Sequence, residues 1–124
     1  MIGLAVGGDG IVRLHLEAPM EEADEERYLA ALERIGTLAG PFAMLVEIDG
    51  YRHLSRAGEL RQAAWAKVTR QHLNRACRAL AIVRAEPNPR TQASFGRFWS
   101  FPVHVTADPT EARAFLARHL AGAA

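Results

Sequence analysis

Two hydrophobic rhythms run along the chain, one of period two and one near 3.6, and the switches between them outline its elements. Residues 2–6 are apolar, Gly7-Gly8-Asp9-Gly10 is a turn cluster, and residues 11–17 alternate, with Val12, Leu14 and Leu16 on one side. That pattern predicts a β-hairpin with one buried face. Pro19 blocks further strand pairing, and Asp24, Glu25 and Glu26 supply the acidic first turn of a helix that presents Tyr28, Leu29, Leu32 and Ile35 at helical spacing. The stretch from Gly36 to Pro41 ends that helix. Residues 42–48 carry apolar residues on both faces, with Glu47 the one charged position, as expected of a central strand covered on both sides.

The segment 42–58, FAMLVEIDGYRHLSRAG, carries the most information: an apolar run ends in a carboxylate and a glycine, and Ser55 opens the next amphipathic stretch. A strand, a turn and a serine-capped helix to about Arg75 follow from it, with Leu60, Ala64, Val68 and Leu73 as an apolar stripe beside Trp65. Residues 78–84 read as a short strand stopped by Pro87-Asn88-Pro89, and residues 91–100 as a helical turn carrying Phe95, Phe98 and Trp99. Residues 102–106 predict a last strand. Asp108 then caps a terminal helix to Leu120, with Pro109 at its first position, Glu111 three residues past the cap, and Ala112, Phe115, Leu116 and His119 at helical spacing.

The order is β-β-α-β-α-β-α-β-α. Strands alternating with helices require right-handed crossovers and a mostly parallel sheet, so the fold class is α/β with the first hairpin as an antiparallel edge. No repeat or linker divides residues 1–124, and the chain reads as a single domain.

Composition narrows the function classes. With 124 residues and 49% hydrophobic content, one core suffices. No run approaches the roughly 18 apolar residues of a membrane span, and the N-terminus lacks a secretory pattern, so a cytoplasmic location is expected. The single cysteine, Cys77, excludes an internal disulfide or a multi-cysteine zinc site and reads as inert core. The net charge of +1 hides an asymmetry: between Glu17 and Glu33 lie Glu17, Glu21, Glu22, Asp24, Glu25, Glu26 and Glu33 against Arg27 alone. Between Arg52 and Arg78 lie Arg52, Arg56, Arg61, Lys67, Arg70, Arg75 and Arg78 against Glu59 alone. Such a split favours charge-guided contact with a protein partner or a second copy, or else two ordinary solvated faces. Nucleic acid is disfavoured, because the basic residues are not interleaved with aromatics.

Candidate chemistry is sparse. Glu47 and Asp49 lie two apart in a strand and share a face near its carboxyl end, one way to assemble a general acid and base. Neither has an identifiable nucleophile beside it in sequence, and Asp49-Gly50 is also a common turn pair. The histidines 15, 53, 72, 104 and 119 show no metal-ligand spacing, so neither a metal nor a cofactor is expected. The glycine-rich Gly7-Gly8-Asp9-Gly10 joins two strands and is a hairpin turn rather than a phosphate cradle. Phe95, Phe98, Trp99 and Phe101 fall within seven positions, and either line an apolar pocket, cover a dimer contact or fill the core.

The opening hairpin, the acidic helix EEADEERYLAALERI, the central LVEIDGYRHLSRAGEL and the closing FPVHVTADPTEARAFLARHL together resemble the STAS family, in particular its small stand-alone SpoIIAA-like, STAS/SEC14-type bacterial branch. The resemblance implies strand-helix units around a mixed sheet, and a noncatalytic regulatory module that binds proteins, nucleotides or apolar ligands. In related anti-sigma-factor antagonists a serine at the start of the helix after the central strand is phosphorylated. Ser55 falls near that place, although here Leu54 and Arg56 flank a single serine. Carboxyl ends of strands are where α/β domains dock ligands. The expected binding surface is therefore Asp49, Tyr51, Arg52, His53, Ser55 and Arg56, with Phe98 and Trp99 as an apolar wall. The leading expectation is protein interaction, including self-association. The alternatives are carriage of a small apolar or anionic ligand such as a lipid, and an enzyme using Glu47 or Asp49.

Overall fold

A computed structural model describes residues 1–18, 21–50, 54–86, 93 and 98–121. Five strands, β1 (Ile2–Val6), β2 (Ile11–Glu17), β3 (Phe42–Asp49), β4 (Cys77–Arg84) and β5 (Val103–Thr106), form one sheet in chain order. β1 pairs antiparallel with β2, and every later neighbour is parallel. Among the described residues, the helices with both ends defined are α1 (Glu22–Ile35), α2 (Arg56–Ala76) and α3 (Pro109–Ala121). The predicted α/β class, mixed sheet and antiparallel edge are all present. The helical turn predicted over residues 91–100 falls mostly outside the described residues.

Each β-α-β step moves one strand in the same direction, so right-handed crossovers set α1 and α2 on one face of the sheet. There Leu29, Leu32 and Ile35 of α1 and Leu73 and Ala76 of α2 join Val12, Leu14, Leu16, Met44, Leu80 and Ile82 in the larger core cluster. On the opposite face α3 brings Ala112 and Leu116 against Ala43, Leu45, Ala79, Ala81 and Val83. The alternation in β4 explains the asymmetry: large Leu80 and Ile82 point one way, while the alanines on either side point the other and let α3 sit close. A register shift between Phe42 and Met44, where Cys77 and Leu80 are the successive partners, inserts one extra β4 residue and keeps Cys77 on the larger core's side.

The local signals hold the ends of these elements. Gly50 ends β3 at φ +77, a backbone conformation that suits glycine, and a Cβ there would meet the Ala18 Cβ at 2.6 Å. Ser55 caps α2 by accepting the Gly58 amide at 3.0 Å. Asp108 accepts the Thr110 amide at 2.9 Å, whereas Glu111 turns to His104 (2.7 Å) and Thr106 (3.3 Å) instead of closing a box on the cap.

One sequence expectation is corrected. Leu60, Ala64 and Val68 do not face the core: Leu60 is 66% and Val68 83% exposed, and Ala64 is exposed as well. The inward face of α2 is instead Gly58, Trp65, Leu73 and Ala76, and only Leu73 of the predicted stripe belongs to it.

Candidate functional site

The rotation of α2 follows from its contacts with α1. Gly58 has no side chain to fill the space beside α1, and a Cβ there would stand 2.7 Å from the Glu25 carboxylate. The same carboxylate accepts the Ser55 amide at 2.6 Å and the Ser55 hydroxyl at 2.8 Å. Arg61 donates to Glu26 at 2.5 Å, and the Tyr28 hydroxyl donates to Gln62. Near its other end α2 is anchored by buried Leu73 and Ala76, by the His72 Nε2 contact with the Leu38 carbonyl at 2.7 Å, and by the Asn74 side chain, which accepts the Ser100 amide at 2.9 Å.

Between these anchors α2 lines the gap with half-buried Ala66 and the more exposed Ala63, side chains too short to fill it. A cavity of about 610 Å³ results. Its floor is Leu14 and Leu16 of β2, Met44, Val46 and Ile48 of β3, and Leu80, Ile82 and Arg84 of β4. Tyr28 and Leu32 of α1 and Gln62 and Trp65 of α2 form its walls, and Phe98, Trp99 and Phe101 close one end.

That aromatic end is ordered by ring contacts. Phe98 meets Trp99 edge-on at 4.6 Å, Trp99 stacks on Phe101 at 5.3 Å, and Trp65 approaches Trp99 edge-on at 6.4 Å. The Arg70 guanidinium lies 4.8 Å from the Phe98 ring centre. Trp99 and Phe101 are thus both buried and cavity-lining, while Phe95 lies outside the described residues.

Size decides how such a space must be read. At about 24 cal/mol per Å³, an enclosed empty cavity of this volume would cost on the order of 15 kcal/mol. That equals the whole stability of a typical domain. The space instead opens to solvent and, at about 610 Å³, falls in the range of roughly 300–1,000 Å³ common for small-molecule pockets.

Arg84 is the single cationic side chain lining it among the described residues, and none of the ion pairs there includes Arg84. It sits beside Ile48 at the carboxyl ends of β3 and β4, where open α/β sheets receive ligands.

The predicted site residues divide. Phe98 and Trp99 line the cavity. Asp49 is exposed at the end of β3, Ser55 is the α2 cap, and Arg56 is the exposed first residue of α2. Tyr51, Arg52 and His53 lie outside the described residues. Glu47 alternates with Val46 and Ile48 and so faces away from the cavity, paired with Arg13 and 3.8 Å from His15 Nδ1. The hydrogen bond to Glu47 holds the Arg13 guanidinium above its ordinary pKa. Tyr28, Gln62, Trp65 and Arg84 were not among the sequence candidates. The signal that points to them is the pair of small residues, Ala63 and Ala66, on a helix face opposite large strand residues.

Among the described residues, no helix is long and apolar enough to cross a membrane and no cluster of His, Cys, Asp and Glu could hold a metal. No family model, curated protein or solved structure matches the chain.

Proposed function

We propose that the protein is a noncatalytic binding module of STAS/SpoIIAA-like type that carries a small elongated apolar ligand with an anionic end, such as a fatty acid. The observation that carries this reading is the space of about 610 Å³ between sheet and α2, apolar on nearly every side and lined by one cation, Arg84, that forms no ion pair among the described residues. An apolar chain placed there would recover contact surface left unfilled between strand and helix, at roughly 25 cal/mol per Å² removed from water. A carboxylate or phosphate at its end would meet Arg84, the geometry arginine serves best. Catalysis has no place in this account. Glu47, on the far side of the sheet, is committed to Arg13.

Native mass spectrometry of protein purified from cells tests it. Retention of a small hydrophobic mass that organic solvent removes supports carriage, and a clean apo mass that also fails to take up added fatty acid counts against it.

A second reading, docking of a protein partner on α2, has its own support. Leu60 and Val68 are exposed on a helix that also exposes Arg56, Lys67 and Arg75, whereas Glu21, Glu22, Glu26 and Glu33 are exposed in the α1 region. An acidic partner surface fits that face of α2, and its binding would weaken with salt.

A further inference from the structure

The two edges of the sheet are guarded unequally. β5 is four residues long, follows Pro102, and carries His104 bonded to Glu111 at 2.7 Å. Short length and a flanking proline are common protections of an edge strand. β1 has neither: its five residues, IGLAV, contain no charge, no proline and no bulge. Two of the four large apolar side chains that stand most exposed, Met1 (56%) and Val6 (50%), lie at its ends.

The hairpin's own hydrogen bonds show which backbone groups remain. The Gly7 amide donates to Ile11 and the Glu17 amide to Met1, and partners along the register sum to eighteen. Hydrogen-bonded pairs alternate in an antiparallel ladder, so the odd residues 1, 3, 5 and 7 turn their groups towards β2. Ile2, Leu4 and Val6 turn theirs outward. These three are symmetric about Leu4.

We propose that β1 is a self-association edge: two copies pair antiparallel across a two-fold axis at Leu4 and join their sheets into one of ten strands. In that register Leu4 faces its own counterpart and Ile2 faces Val6 of the second copy. All six outward N–H and C=O groups on each side find partners, and the side chains that meet are apolar on both sides. No like charges face each other, in contrast with α2, whose basic face would repel a second α2. An arbitrary extended peptide satisfies the same hydrogen bonds but not the symmetric match of Ile2, Leu4 and Val6.

Sedimentation velocity over a concentration series tests the proposal, with Val6→Pro and Val6→Lys as variants. The proline removes one outward donor without touching the hairpin's ladder, and the lysine places a charge on the edge. The expected result is a wild type of twice the chain mass and folded variants of one chain mass. A wild type that stays monomeric, or a dimer that both folded variants retain, overturns it.

Should the variants lose their fold, a spin label at Ala5→Cys decides. Ala5 is exposed on the other face, and the proposed register sets the two copies' residues 5 about 8 Å apart. Strong dipolar broadening is expected, and its absence overturns the proposal. None of these readouts depends on whether the cavity holds a ligand.

Discussion

The Ser55 hydroxyl donates to the Glu25 carboxylate at 2.8 Å while accepting the Gly58 amide at 3.0 Å, so one side chain both caps α2 and fastens it to α1. Replacing it with alanine removes both contacts, and a cap alone is worth about 1 kcal/mol. Ser55→Ala is expected to lower stability by about that amount or somewhat more in urea denaturation. Ser55→Glu keeps an acceptor but sets a second carboxylate against Glu25, and is expected to be less stable than Ser55→Ala. A phosphate on Ser55 would act in the same direction and loosen the α1–α2 contact. Ser55→Glu as stable as wild type would remove the grounds for that switch.

The cavity-filling prediction follows from Ala63 and Ala66. Enlarging Ala66 to leucine should occupy space that a ligand would use, lowering affinity for a fatty acid tenfold or more, with stability within about 1 kcal/mol of wild type. Calorimetric titration alongside thermal unfolding checks both halves. In a tightly packed site the same change would destabilise by about 1–3 kcal/mol.

Arg84→Gln separates the polar end of the ligand from its tail. Loss of the charge-assisted contact should weaken a carboxylate ligand by about tenfold. Binding of the matching alcohol should be nearly unchanged. Equal effects on both would show that Arg84 does not meet the anionic end.

Asp24 sets an acid limit on stability. It is buried, and accepts the Glu21 amide at 2.8 Å, the Met1 ammonium at 3.0 Å and Arg27 at 2.9 Å. The Glu21 amide, then the ammonium and Arg27, lower its pKa to about 2. An unfolded aspartate titrates near 4, so the stabilisation is complete above about pH 4 and lost as pH falls towards 2. Asp24→Asn should be less stable than wild type at neutral pH, and the gap should narrow over that window. A gap independent of pH would contradict the assignment.

Cys77 is the converse case. Burial pushes its thiol pKa up to about 12, against smaller opposing effects from the Ala79 and Met44 backbone. It should resist thiol reagents at pH 8 in the native state and react on unfolding. Rapid native-state labelling would contradict its placement in the core.

How much of this could be read in advance depends on the physics of each feature. The hairpin, β3 and the terminal helix announce themselves through local chemistry: the Gly7–Gly10 turn, the unbroken apolar run from Phe42, and Asp108-Pro109. The serine cap of α2 belongs with them. The rotation of α2 was not legible, because that helix has apolar residues on both sides and a periodicity argument selects Leu60, Ala64 and Val68 as readily as Trp65, Leu73 and Ala76. Its inward face is decided by Gly58 against Glu25, a contact between residues thirty-three apart. The cavity was legible only in part. Phe98 and Trp99 stood out as an aromatic cluster, but the space before them arises from short side chains between two anchors, and no motif encodes a gap.

Both tryptophans of the chain, Trp65 and Trp99, line the cavity, which makes its occupancy directly observable. Titration with a fatty acid brominated along its tail, a quencher that acts on contact, is the most direct measurement. Saturable quenching of the tryptophan emission, with its midpoint moved to at least tenfold higher concentration by Ala66→Leu, is the predicted result. Emission unchanged up to the solubility limit of the quencher would contradict ligand carriage.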